Sequence, residues 1–174
     1  MRIWWSLACV ALISACAAPK APTGLYRDTQ TPLTYTTRSD ANRLAGDWHV
    51  RAHYPGDEGL RRVSYLRARD GQEAFKLITR HCADNGACTD IAALWRAKAL
   101  GPNRWRLADP QGGKTRDLWV IWVDEDYRTA AIGAPDGGYG WVLDRRATGG
   151  ADRITAAREI LDFNGYDIGA MILR

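Results

Sequence analysis

Two periods run along this chain, and the switch between them is the first guide to its fold. From Asp47 onward, apolar and polar residues alternate in short runs broken by turn residues. A period of two places one set of side chains on each face of a strand. The pattern predicts strands over 47–54, 62–69, 73–82, 88–98, 104–108, 116–124, 127–133 and 139–145. Pro55-Gly56-Asp57, Asp70-Gly71, Asn85-Gly86, Gly101-Pro102-Asn103 and the runs 109–113 and 134–138 separate them, all of them turn chemistry. Short links between consecutive strands make antiparallel neighbours, and eight strands close into a small barrel without exposed edges. The expected fold class is therefore all-β, an eight-stranded antiparallel up-and-down barrel. After Arg145 the period changes. Ile154, Ala157, Ile160 and Leu161 recur at helical spacing, which predicts one C-terminal α-helix over 151–164, packed outside the barrel. Asp152 is its expected N-cap and Gly165 its C′ residue. The apolar end, 168–173, is expected to pair as one more short strand.

Before Asp47 neither period holds. Residues 1–15 combine Arg2 with a short apolar run, too short for a stable membrane span of about 20 residues, and read as an export signal. Ile13-Ser14-Ala15-Cys16 resembles the bacterial lipobox, which implies cleavage before Cys16 and lipidation of that cysteine. Residues 16–39 hold Pro19, Pro22, Pro32 and many threonines without apolar periodicity, and are expected to be a lipidated N-terminus and flexible tether. Residues 40–174 form the barrel domain. The lipoprotein pattern, with Ala17 after the cysteine, implies the outer membrane with the protein on its periplasmic face.

Charge and cysteines narrow the picture. The formal net charge is +4, and subtracting the one charge of Arg2 leaves +3 on the exported chain. That charge is dispersed, and Arg61-Arg62 and Arg145-Arg146 lack aromatic interleaving, so no nucleic-acid role is supported. In an oxidising compartment, Cys82 and Cys88 across the Asn85-Gly86 turn predict a disulfide at the mouth of a hairpin. Their five-residue spacing matches no metal pattern, so neither a metal nor a cofactor is expected. His49 and His53 fall on the outward face of the first strand and read as surface histidines. No Gly-x-Ser-x-Gly elbow or His/Asp/Glu cluster appears, so no enzyme is expected.

Three motifs carry a family resemblance. Arg43-Leu44-Ala45-Gly46-Asp47-Trp48 looks like the first motif of the lipocalins, Asp124-Glu125-Asp126-Tyr127 resembles their second, and Arg145 after Tyr139-Gly140-Trp141-Val142-Leu143-Asp144 is similar to their third. Gly133-Ala134-Pro135-Asp136 and Gly165-Tyr166-Asp167 extend the likeness towards bacterial outer-membrane lipoprotein lipocalins. The resemblance implies that Gly46, Trp48, Tyr127 and Arg145 are structural, with Trp48 packed under Arg145 to seal one end of the barrel. Strand parity proposes a lining of Val50, Ala52, Tyr54, Tyr65, Phe75, Leu77, Trp95, Tyr127, Trp141 and one of Trp119 and Trp122. Of these, Tyr54, Tyr65, Phe75, Leu77, Trp95, Tyr127 and Trp141 are the candidate ligand-binding residues. The expected function is a membrane-tethered binding protein for small hydrophobic ligands, fatty acids and lysophospholipids, in envelope lipid handling or storage, with a tyrosine hydroxyl or Arg67 at the open end to hold a head group. The alternative is a structural or partner-binding envelope lipoprotein with a filled barrel. The oligomeric state stays open, a homodimer included.

Overall fold

The computed structural model describes residues 25–38, 40–68 and 70–174. The expected export signal and Cys16 lie outside them. A short helix α1 (Ala41–Leu44) leads into β1 (Gly46–His53), β2 (Leu60–Arg67), β3 (Glu73–Cys82), β4 (Cys88–Gly101), β5 (Arg104–Ala108), β6 (Thr115–Val123), β7 (Thr129–Gly133) and β8 (Gly140–Asp144). Helix α2 (Ala151–Phe163) and the two-residue β9 (Ile172–Leu173) complete the chain. All eight long strands pair with their sequence neighbours, and β1 pairs with both β2 and β8, which closes the barrel. The fold class is as the alternation predicts.

Hydrophobic residues divide into two cores. Trp48, Val50, Val63, Phe75, Leu107, Val120 and Leu143 belong to the barrel interior. Ala52, Tyr54, Ile121, Val142, Ile154, Ala157, Leu161 and Tyr166 form a second core between α2 and the outside of the wall. Strand β1 serves both. Its ladder with β8 slips by one residue, from Val50 opposite Leu143 to Ala52 opposite Val142, a β-bulge around Arg51. One extra residue moves every later side chain to the other face. Ala52 and Tyr54, expected inside, therefore face the helix, and His53, expected on the surface, lies opposite Trp141 and is buried. A second slip, between Val120 and Trp122, acts on β6. Leu118, Val120 and Val123 enter the interior, and neither Trp119 nor Trp122 does.

The ends of α2 differ in part from expectation. Gly165, at φ +84, is the left-handed residue after the helix, as expected. Asp152 is not the N-cap. Gly150 occupies that position without a side-chain cap, and Asp152 lies in the first turn, where its charge still favours the helix dipole. Residues Ile168–Ala170 form a single 3-10 turn, so only Ile172 and Leu173 pair, with His53 and Ala52. The Cys82–Cys88 disulfide closes the β3–β4 hairpin at its last paired position.

Residues 25–38, expected within the tether, instead form a strap along the barrel wall. Tyr26 stacks on Tyr54 with ring centroids 4.4 Å apart. Arg27 is buried, donating to the carbonyls of Asn164 at 2.9 Å and Pro135 at 3.0 Å. Further along, Thr36 N–H donates to Val120 O at 2.9 Å, and Asn103 donates to the carbonyls of Thr36 and Arg38. Sequence periodicity misses the strap because backbone hydrogen bonds and one buried arginine hold it in place of an apolar stripe.

Candidate functional site

The two ends of the barrel are built differently. At the floor, Trp48 is buried and donates its indole N–H to Leu44 O at 2.9 Å. The Arg145 guanidinium lies 3.7 Å from the centre of the Trp48 ring. It also donates to the carbonyls of Asp47 and Ala45, each at 2.9 Å, and of Arg43 at 2.5 Å. Gly46 turns at φ +94 beneath it, where a Cβ would sit 3.4 Å from the guanidinium. Burial holds the Arg145 side chain below its ordinary pKa. Tyr127, at φ +57 in the β6–β7 turn, is buried under Arg43 and accepts from Asp40 N–H at 3.2 Å. Gly46, Trp48, Tyr127 and Arg145 thus come together as the sealed floor, and Tyr127 serves there rather than in a ligand pocket.

Above the floor the interior is nearly full. Tyr65, Phe75 and Trp105 form an aromatic cluster with centroids 5.0–5.3 Å apart. Glu73 faces inward from the start of β3 and accepts from the Tyr65 hydroxyl and from Trp105 Nε1, the latter at 2.6 Å. Burial, followed by this hydrogen bond, pushes the Tyr65 hydroxyl well above its usual pKa. The space left is about 20 Å³, lined by apolar side chains including Tyr65 and Phe75. That is room for a single water without polar partners to hold it. Leu77 is packed into the same core. Arg67 lies opposite Glu73 at the β2–β3 turn, on the floor side and not at the open end.

The open end is wide and polar. A mouth of about 560 Å³ is bounded by Pro55–Asp57 from the β1–β2 loop, Trp95 on β4, Gly113–Arg116 entering β6, and Asp136, Gly138 and Tyr139 ahead of β8. Arg116 has the parity of Leu118 and Val120 and so points inward. Its guanidinium lies 4.8 Å from the Tyr139 ring, 5.2 Å from Trp95 and 5.8 Å from Trp141. Among the described residues it forms no ion pair with a carboxylate. Trp141 is fully buried below it and donates to Asp57 Oδ2 at 2.8 Å. Tyr139 donates to Asp117 O at 2.8 Å, and burial pushes its hydroxyl far above the usual value.

Of the seven candidate ligand residues, Trp95 borders the mouth and Trp141 lies directly beneath it. Tyr65 and Phe75 line the small cavity, Leu77 fills the core, and Tyr127 is in the floor. Tyr54 is outside the barrel, because the Arg51 bulge turns it under α2. The residue that sequence reasoning missed is Arg116. No local signal marks it: the run Leu118–Val123 is apolar on both faces, so alternation does not say which way Arg116 points.

A closed eight-stranded meander with an outer C-terminal helix and an arginine sealed over a tryptophan floor defines a lipocalin-type barrel. The chain belongs to the lipocalin-like domain family, whose model matches residues 39–174. A stretch of 57 residues is 37% identical to temperature-induced lipocalin-1 of Arabidopsis thaliana. That match spans 33% of this chain and only 31% of the plant protein. Among solved structures, apocrustacyanin C2 superposes with a TM-score of 0.59 at 12% identity, over 88% of this chain and 92% of that one. Lobster apocrustacyanin A1 does so with a TM-score of 0.58 at 14% identity, with the same coverage. These likenesses show the fold.

Proposed function

We propose that the protein is a binding protein for amphiphilic ligands with an anionic head, fatty acids and lysophospholipids, tethered to the outer membrane through lipidated Cys16 and serving envelope lipid handling or storage. The observation that carries this reading is Arg116, a cation without a carboxylate partner among the described residues, resting on three aromatic rings at the entrance to an apolar interior. A carboxylate or phosphate entering the 560 Å³ mouth replaces ring contacts with a charge-assisted hydrogen bond, the stronger interaction. The volume lies within the usual ligand-site range of about 300–1,000 Å³. The tail then lies on Trp95 and the inward face of the β3–β4 hairpin. Each buried methylene contributes about 0.8 kcal/mol before association costs are subtracted. The 20 Å³ interior limits how much tail enters without rearrangement of the aromatic cluster. The tether is supported by Ile13-Ser14-Ala15-Cys16 ahead of the barrel.

Titration of the delipidated mature chain with fluorescent fatty acid and lysolipid tests this reading. Micromolar binding is expected, weakened about tenfold for anionic ligands in Arg116→Ala by loss of one charge-assisted contact and unchanged for the matching fatty alcohol. Absence of binding by every probe refutes it. The filled interior favours the second reading, a partner-binding lipoprotein, which absence of binding would leave standing.

A further inference from the structure

Two motifs of the sequence have no part in the floor, and only Asp136 of them reaches the mouth: Gly133-Ala134-Pro135-Asp136 and Gly165-Tyr166-Asp167. Both build the dock for the strap. Tyr166 accepts from Ala134 N–H at 2.8 Å and its hydroxyl lies 3.0 Å from Ala134 O and 3.1 Å from Tyr139 O. Arg27 donates to Pro135 O, Asp28 N–H to Gly165 O at 2.8 Å, and Asp167 N–H to Tyr26 O at 2.9 Å. Gly137, at φ +67, lets the strap approach so closely that a Cβ there would lie 2.5 Å from the Cβ of Arg27. The direction of the strap matters most. Tyr26 N–H donates to Gly137 O at 2.8 Å and its hydroxyl to Pro55 O at 3.0 Å, both in loops that border the mouth. Arg38 lies at the other end, beside the β4–β5 turn at Asn103. The chain therefore leaves the barrel at the rim of the mouth.

Leu25 follows Cys16 by nine residues. Nine residues span at most about 30 Å fully extended, and about 16 Å as a flexible chain. An eight-residue strand tilted by about 40° rises roughly 20 Å along the barrel axis. An anchor at Cys16 thus reaches the mouth as a relaxed chain and the floor only when stretched beyond its relaxed span. On the mouth side the β3–β4 hairpin projects. Residues 88–95 of β4 have no β5 partner, and Ile91 and Leu94 there are each 52% exposed. From the docked strap and the length of chain before it, we infer that the mouth end of the barrel is the face that docks on a phospholipid bilayer, with the β3–β4 hairpin as its contact. The inference rests on the lipidated Cys16 of the proposed function. It gives the mouth a direct path to membrane amphiphiles.

The test places the photocrosslinker p-benzoylphenylalanine at Ile91 in one variant and at Glu125, in the floor turn, in another. Each is made as the full lipidated chain and inserted into phosphatidylglycerol-containing phosphatidylcholine vesicles. After irradiation, mass spectrometry should find phospholipid adducts at position 91 exceeding those at 125 by about tenfold, the bias of a short anchor that holds one end close. Inserting a 20-residue Gly-Ser segment after Ala18 leaves the barrel sequence untouched and should erase the bias. Equal or reversed adduct yields, or a bias indifferent to the insertion, overturn the inference. The mass of the N-terminal peptide is read first. A Cys16 without lipid refutes the tether, and the orientation is then measured with the mature chain coupled through its Cys16 thiol to maleimide-bearing vesicles.

Discussion

Replacing Arg145 tests the floor most directly. Its guanidinium makes a cation–π contact with Trp48 at 3.7 Å and donates to three backbone carbonyls of the 43–47 segment at 2.5–2.9 Å. The ring contact contributes about 1 kcal/mol at a half-buried site. The three hydrogen bonds share one side chain and partial solvent access, so together they contribute about 2 kcal/mol, below their separate sum. Arg145→Ala should therefore lower stability by about 3 kcal/mol, roughly 10 °C in Tm for a domain of this size. Arg145→Lys keeps a cation near the ring but not the planar fork, and should lose about half as much. Urea unfolding followed by circular dichroism supplies the free energies. A double-mutant cycle with Trp48→Phe should show coupling of at least about 0.5 kcal/mol. If Arg145→Ala stays within about 0.5 kcal/mol of the parent protein, or Arg145→Lys equals it, the floor is held by packing alone and the argument is wrong.

Stability should fall in alkali, and thermal unfolding scanned from pH 8 to 12 will show it. Burial raises the hydroxyls of Tyr54, Tyr65 and Tyr139 well above their usual value and that of Tyr166 to about 12. A raised folded pKa stabilises fully below the unfolded pKa of about 10 and is lost as pH rises; Tyr166 alone should cost about 2 kcal/mol by pH 12. Tyr54→Phe should be neutral or stabilising by chemical denaturation, since the Tyr54 hydroxyl is buried without a hydrogen-bond partner among the described residues. Gly137→Val should release the strap, read as faster amide exchange at Tyr26 and Asp28 with protection in β6 and β7 unchanged. Replacing Cys82 and Cys88 with serine should remove about 2 kcal/mol of loop-closure stabilisation, with faster exchange confined to the tip of the β3–β4 hairpin.

Most of the architecture was legible because alternation and turn chemistry are local signals. Every expected strand exists, and the Asn85-Gly86 turn with its flanking cysteines was readable outright. The faces were legible only up to the first bulge. Nothing in Val50-Arg51-Ala52 announces an extra residue, so Tyr54 was assigned to the interior and His53 to solvent. On β6 the run Leu118–Val123 is apolar on both sides, and the slip at Ile121 left both tryptophans outside. The floor was readable through motif resemblance, because its contacts join residues about a hundred positions apart that no local pattern connects. The mouth was not, because Arg116 acquires meaning only once Trp95, Tyr139 and Trp141, from three other parts of the chain, surround it.

The bulge at Arg51 makes this wall sensitive to counting more than to chemistry. Ahead of it β1 belongs to the barrel, and beyond it to the helix, and one residue sets the phase between them. A substitution at position 51 alters one side chain. A deletion there would carry Tyr54 away from Tyr26 and Tyr166, expel His53 from beside Trp141, and unseat the strap and the rim of the mouth together. Along this stretch sequence drift is tolerable, but a change of length is not.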